Sequence, residues 1–186
     1  MEENNMKEKN LEIKVKATID DFWSIINSPI EKYYIATLEQ TDTYFLVPDG
    51  RLKMREEEGR KPHFIRYFRP DLSSDKTSCY TKYNVGDVDS FDRVFGCLLK
   101  REVVVNKIRK LFIYKNARIH LDAIKNLDEP YYIEIEVVIN NKEDEEKSNT
   151  LMNELLTMMK LTDTERNPII SNSYREIVLE KFYCKK

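Results

Sequence analysis

Lysine, arginine and glutamate recur two residues apart on short segments of this 186-residue chain, and these residue types handle charged oxygen atoms. The first segment carries Glu12, Lys14 and Lys16 in Leu11-Glu12-Ile13-Lys14-Val15-Lys16, with Asn10 in line before them. A second holds Arg51, Lys53 and Arg55, and a later one Lys107 and Arg109. Arg118, His120 and Asp122 alternate with apolar residues, as do Glu134 and Glu136. Arg recognises phosphate oxygens as a bidentate fork and Lys as a point charge. The carboxylates are hard ligands of the kind that Mg²⁺ and Mn²⁺ take. A basic excess mixed with a few carboxylates suits a polyphosphate bound with its divalent metal, whereas anion binding alone needs only the basic part.

Period-two alternation puts these charges on one face of each strand and the apolar residues on the other. Further strands are expected over 37–46, 63–69, 77–83 and 103–114, the last in one or two pieces. A turn at Pro48-Asp49-Gly50 precedes the second charged segment. Helices are expected over 20–28, 87–100 and 148–161, with Phe22 and Trp23 in the core, an Asp cap at 87 or 89, and the acidic run 143–146 as a solvated turn. About eight strands and few helices indicate an α+β fold dominated by antiparallel sheet. An ordinary sheet would leave its charged faces in water. Like charges two apart on one face repel, however, and fit better where counter-charges converge on them. A barrel with its charged faces inward and its apolar faces under helices satisfies that condition, and eight strands suffice to enclose a small ligand.

Composition narrows the function classes. The chain suits one domain. The 31 basic and 33 acidic residues leave a net charge of −2, which argues against a general nucleic-acid coat. Three cysteines (Cys79, Cys97, Cys184) without a Cys-x-x-Cys pair fit free thiols in a reducing compartment, and two histidines argue against a His-rich zinc site. The N-terminus lacks the apolar core of a signal peptide and no apolar run approaches a membrane span, so a cytoplasmic location is expected.

The ordered segments resemble the CYTH superfamily, the triphosphate tunnel metalloenzymes, and within it the class IV adenylate cyclase-like branch. The family's opening Glu-x-Glu-x-Lys reads here Asn10-Leu11-Glu12-Ile13-Lys14, with Asn10 in place of the first Glu. Asp42-Thr43-Tyr44-Phe45, Gly50 to Glu56, Tyr67-Phe68-Arg69-Pro70-Asp71, Lys107-Ile108-Arg109, Arg118 to Asp122, Glu134 to Val137 and Ser173-Tyr174-Arg175 follow in the family's order. The resemblance implies an eight-stranded antiparallel tunnel over residues 10–178, with 1–9 as a flexible N-terminus and 179–186 as a surface extension. It implies a triphosphate substrate used with Mg²⁺ or Mn²⁺, with a triphosphatase as the leading reading; an adenylate cyclase, which the nearest-branch resemblance favours, and a non-catalytic polyphosphate or nucleotide binder are the alternatives. Glu12, Glu134 and Glu136 are then the metal ligands. Lys14, Lys16, Arg51, Lys53, Arg55, Arg69, Lys107, Arg109 and Arg118 form the phosphate clamp, and Lys14, Lys107 and Arg109 carry the chemistry. Arg66 lies on the face opposite Arg69. Lys14 is expected to deprotonate the nucleophile if neighbouring cations lower its pKa. Asn10, His120, Asp122 and Tyr174 are secondary candidates, Tyr174 as an end-closing or substrate-contacting residue. The expected partner is a small-molecule triphosphate, with no membrane or nucleic acid, on a monomer or homodimer.

Overall fold

The computed structural model describes residues 8–68, 77–125, 127–139 and 145–183; Arg69 and Cys184 lie outside the described residues. Eight strands run through it: β1 (Glu8–Lys16), β2 (Tyr34–Phe45), β3 (Arg51–Glu57), β4 (His63–Phe68), β5 (Thr77–Asn84), β6 (Arg101–Tyr114), β7 (Ala117–Ile124) and β8 (Tyr131–Ile139). Among the described residues four α-helices accompany them: α1 (Ile19–Ile26), α2 (Val88–Phe95), α3 (Glu145–Met158) and α4 (Tyr174–Tyr183). Every strand pairing is antiparallel, and the order β1-β5-β4-β3-β2-β6-β7-β8 closes on itself through β8 and β1. None of the described helices is long and apolar enough to cross a membrane.

The apolar faces point outward, as the alternation predicts. Ile13 and Val15 of β1, Ile119 and Leu121 of β7, and Ile133, Ile135 and Val137 of β8 form one buried cluster. Phe22 and Ile25 of α1 cover it together with Leu151, Met152 and Leu155 of α3. Each such side chain contributes about 1.5–3 kcal/mol when fully buried. Phe45 of β2, Met54 of β3 and Phe91 of α2 make a second cluster. Local signals set the joints. Thr18 and Asp21 form a capping box that starts α1, Asp87 caps α2, and Gly50 at φ 65° completes the turn into β3.

The structure departs from the sequence reading in four places. Trp23 is 57% exposed, because the helical turn that buries Phe22 and Ile25 points its neighbour to solvent. Helix α2 stops at Phe95, so Leu98 lies beyond it and is exposed. Glu145 and Glu146 form the first turn of α3 rather than a loop, where acidic residues complement the helix dipole. Helix α4 spans the 178/179 boundary and continues to Tyr183.

Leu155 has no solvent exposure beneath α3. Leu155→Ala should therefore cost about 2–5 kcal/mol in chemical denaturation, while Trp23→Ala should stay within about 0.5 kcal/mol of the parent.

Candidate functional site

The inward faces enclose a cavity of about 400 Å³, within the range of small-molecule sites. Its wall includes Glu12 and Lys14 of β1, Lys53 and Arg55 of β3, Lys107 and Arg109 of β6, Arg118 and His120 of β7, and Glu134 and Glu136 of β8. Register explains the meeting. Lys14 lies opposite Glu134, Glu12 opposite Glu136, His120 opposite Glu134, Arg109 opposite Asp122, and Asp42 opposite Arg55.

Two carboxylates with no solvent exposure organise the interior. Asp42 of β2 accepts from Arg55 Nε at 2.6 Å and Nη2 at 2.7 Å, from Lys53 Nζ at 2.9 Å, and from Lys107 Nζ at 3.2 Å. Burial opposes its charge, but Arg55, Lys107 and Lys53 outweigh burial and hold the carboxyl well below its ordinary range. The lysines feel the reverse balance. Burial lowers Lys107 to about 7, with Arg109 and Arg55 adding to the effect against the pull of Asp42. Burial and Arg55 lower Lys53 to about 8. Asp122 of β7 accepts from Arg109 Nε at 2.7 Å, from Arg109 Nη2 at 2.5 Å, and from the Tyr174 hydroxyl at 2.7 Å.

Arg109 Nη2 also reaches Glu134 Oε2 at 2.9 Å, while Lys14 Nζ lies 3.1 Å from Glu134 Oε1. His120 Nδ1 is 3.4 Å from Glu134 Oε2 and 3.8 Å from Glu136 Oε1. Arg118 Nε donates to Glu136 Oε2 at 2.8 Å. Burial resists ionisation of Glu134, but Lys14, His120 and Arg109 hold it well below the ordinary carboxylate range. Burial and Arg109 push His120 below the ordinary imidazole value. One ligand atom each from His120, Glu134 and Glu136 falls within 4.8 Å of the other two. Two ionised carboxylates and an imidazole in that space form a donor set able to hold a divalent ion. Glu12 faces the cavity beside Glu136, 4.0 Å from Lys14 Nζ, outside this convergent trio. Asn10 is buried in the same wall.

Not every expected residue joins the wall. Lys16 sits at the end of β1, 40% of its side chain exposed, and pairs with Glu129 instead of entering the cavity. Arg51 donates to Glu176 of α4 at 2.8 Å and 3.0 Å. Arg66 points away and meets Asp49 at 3.1 Å. Lys14 Nζ lies 3.1 Å from Glu134 and 4.0 Å from Glu12, whereas Lys107 and Lys53 are the lysines lowered in part by neighbouring arginines. Asp42 was quoted in the family resemblance without a role, and Gln40, Tyr44, Tyr67 and Tyr80 were not singled out, though all four line the cavity. For Gln40, Asp42 and Tyr44 the signal is their shared even-numbered face, masked by the polar Thr41 and Thr43 on the other face.

Residues 8–166 match the family model described as the CYTH domain. The chain belongs to the CYTH family. Solved structures agree in fold. A conserved hypothetical protein from Pyrococcus furiosus superposes with a TM-score of 0.71 at 21% identity, covering 90% of this chain and 98% of its own. A Pyrococcus horikoshii protein gives 0.73 at 20%, covering 90% and 98%. A candidate adenylate cyclase from Vibrio parahaemolyticus gives 0.70 at 15%, covering 93% and 99%. No curated protein matches the sequence. The inward charge of this CYTH barrel thus belongs to a triphosphate-tunnel fold, and its His120-Glu134-Glu136 cluster fits the metal that the family generally uses.

Asp42 gives the direct test of the interior network. Asp42→Asn leaves Lys53, Arg55 and Lys107 without their shared anion and should cost about 3–5 kcal/mol in denaturant melts. Added tripolyphosphate should raise the melting temperature of this variant more than that of the parent.

Proposed function

We propose that the chain is a divalent-metal-dependent triphosphatase, acting on inorganic tripolyphosphate, a nucleoside triphosphate or thiamine triphosphate. The observation that carries this reading is the excess of cation around Asp42: one carboxylate with no solvent exposure faces two lysines and an arginine on the cavity wall. A polyanion entering the tunnel supplies the missing negative charge. Lys53, Arg55, Lys107, Arg109 and Arg118 then hold phosphoryl oxygens, and their preset positions stabilise charge that builds on those oxygens during transfer. No side-chain nucleophile is required. Held by Glu134, Glu136 and His120, with Glu12 beside them, Mg²⁺ or Mn²⁺ would supply Lewis-acid polarisation and an activated water. A cytoplasmic location fits this chemistry.

Adenylate cyclisation is the second reading, supported by the likeness to the Vibrio parahaemolyticus protein described as a candidate adenylate cyclase. The clamp and metal seat serve either reaction, so the products decide. Incubation with tripolyphosphate, thiamine triphosphate, ATP and GTP in Mg²⁺ or Mn²⁺ should release orthophosphate, and Glu134→Gln should lower turnover roughly 10- to 100-fold. Cyclic AMP with pyrophosphate would favour the cyclase instead. Tight, metal-insensitive binding without product would identify a non-catalytic binder.

The buried lysines add a pH dependence. Near pH 8 Lys107 is largely neutral and Lys53 about half charged. A bound polyanion favours the protonated forms of both, so affinity should rise as pH falls from about 9 to about 7 and binding should take up protons. Calorimetry at pH 8 in buffers of different ionisation enthalpy measures that uptake. Lys107→Met should reduce it, and the difference from the parent removes the ligand's own protonation.

A further inference from the structure

We infer that Tyr174, the first residue of α4, is a positioning residue for both halves of the site, its hydroxyl acting through Asp122 and its ring beneath Lys14 and Lys107. The inference rests on the triphosphate-and-metal reading above and extends it to a helix outside the barrel wall.

The hydroxyl is one end of a continuous chain of contacts. It donates to Asp122 Oδ2 at 2.7 Å; Asp122 accepts from Arg109 Nε and Nη2, and the same Arg109 Nη2 reaches Glu134 Oε2. Glu134 is in turn a member of the cluster able to hold a metal. Groups that fix a ligand from behind set its orientation and basicity, and their loss is felt in metal affinity. The ring does separate work. Lys14 Nζ lies 4.3 Å from its centroid and Lys107 Nζ 5.0 Å, so the one ring steadies two ammonium groups of the tunnel. Tyr132 packs edge-on against the same ring at 5.5 Å and fixes its tilt.

Helix α4 is seated to do this. Arg51 of β3 pairs with Glu176, Arg175 pairs with Glu102 of β6, and Val178 packs in the cluster of Tyr44, Val105 and Ile124. Glu176 Oε2 also accepts from the Ser173 backbone N–H at 2.6 Å, closing the first turn just before Tyr174. Arg51 is therefore a docking residue for α4 in this arrangement, and Tyr174 is the tip that enters the tunnel.

Two substitutions in the full-length chain separate the two roles. Tyr174→Phe keeps the ring and removes the hydroxyl; Tyr174→Leu removes both. Mn²⁺ binding is followed by electron paramagnetic resonance without substrate, and tripolyphosphate binding by calorimetry in EDTA. Tyr174→Phe should weaken Mn²⁺ roughly tenfold and metal-free tripolyphosphate, through the shared Arg109, by only about two- to threefold. Tyr174→Leu should weaken Mn²⁺ similarly and tripolyphosphate by about 3- to 10-fold. A residue that only packs would lower both affinities by the same factor in Tyr174→Phe, or neither, and either result overturns the hydroxyl's role. Unchanged tripolyphosphate affinity in Tyr174→Leu overturns the ring's role. A parent protein that binds neither Mn²⁺ nor tripolyphosphate overturns the underlying reading and this inference with it.

Discussion

A carboxylate without solvent contact stays ionised only when its surroundings replace the water it has lost, at a desolvation cost of several kcal/mol per ion. Asp42 meets that condition through Lys53 and Arg55 of β3 and Lys107 of β6, so three strands must keep their register for four side chains to meet. A slip of one residue would turn Asp42 outward and bring Thr43 or Thr41 into its place, reversing every face of β2 at once. The apolar exterior imposes the same register from the other side, since Phe45 and Met54 pack under α2 only when Asp42, Lys53 and Arg55 point in. The polar interior and the apolar shell are thus two faces of one alternation.

Within that shell the charges divide into two groups. Around Asp42 cations predominate, which suits an anion. Around Glu134 and Glu136 the carboxylates are held ionised by Lys14, His120, Arg109 and Arg118, which suits a cation. Arg109 stands between them: its guanidinium is fixed by Asp122 and Glu134, and its charge also helps depress Lys107. A substrate that is both polyanionic and metal-bound would satisfy the two groups together, whereas a simple anion would answer only the first.

The sequence made the barrel legible because β1, β3, β7 and β8 alternate charged with apolar residues, leaving one arrangement of faces that buries the right atoms. It hid Asp42 because β2 reads Gln40-Thr41-Asp42-Thr43-Tyr44, polar on both sides, so period two carried no contrast. Helix α4 was missed for a related reason: Tyr174-Arg175-Glu176 is anchored by a hydroxyl and two ion pairs more than by an apolar stripe. Arg51 shares the inward parity of Lys53, yet a carboxylate distant in sequence claims it. Lys16 has the parity of Lys14, but the strand ends there and solvent offers its long side chain an easier place. Parity assigns a face; the length of the strand and the neighbours across the barrel decide whether that face is wall or rim.

Asn10 bears on how the metal seat would be charged. The resemblance places a Glu there in other members, and a neutral amide removes one formal negative charge from the wall. The structure sets His120, an imidazole lowered by burial and Arg109, in the cluster able to hold a metal. On the proposed reading the seat then carries less negative charge and one nitrogen donor. Fewer fixed negatives repel an approaching triphosphate less, and a mixed nitrogen and oxygen set favours Mn²⁺ over Mg²⁺, which strongly prefers oxygen and water. On that reading the amide at position 10 and the reach of His120 towards both Glu134 and Glu136 bear on one seat, without a change in the barrel.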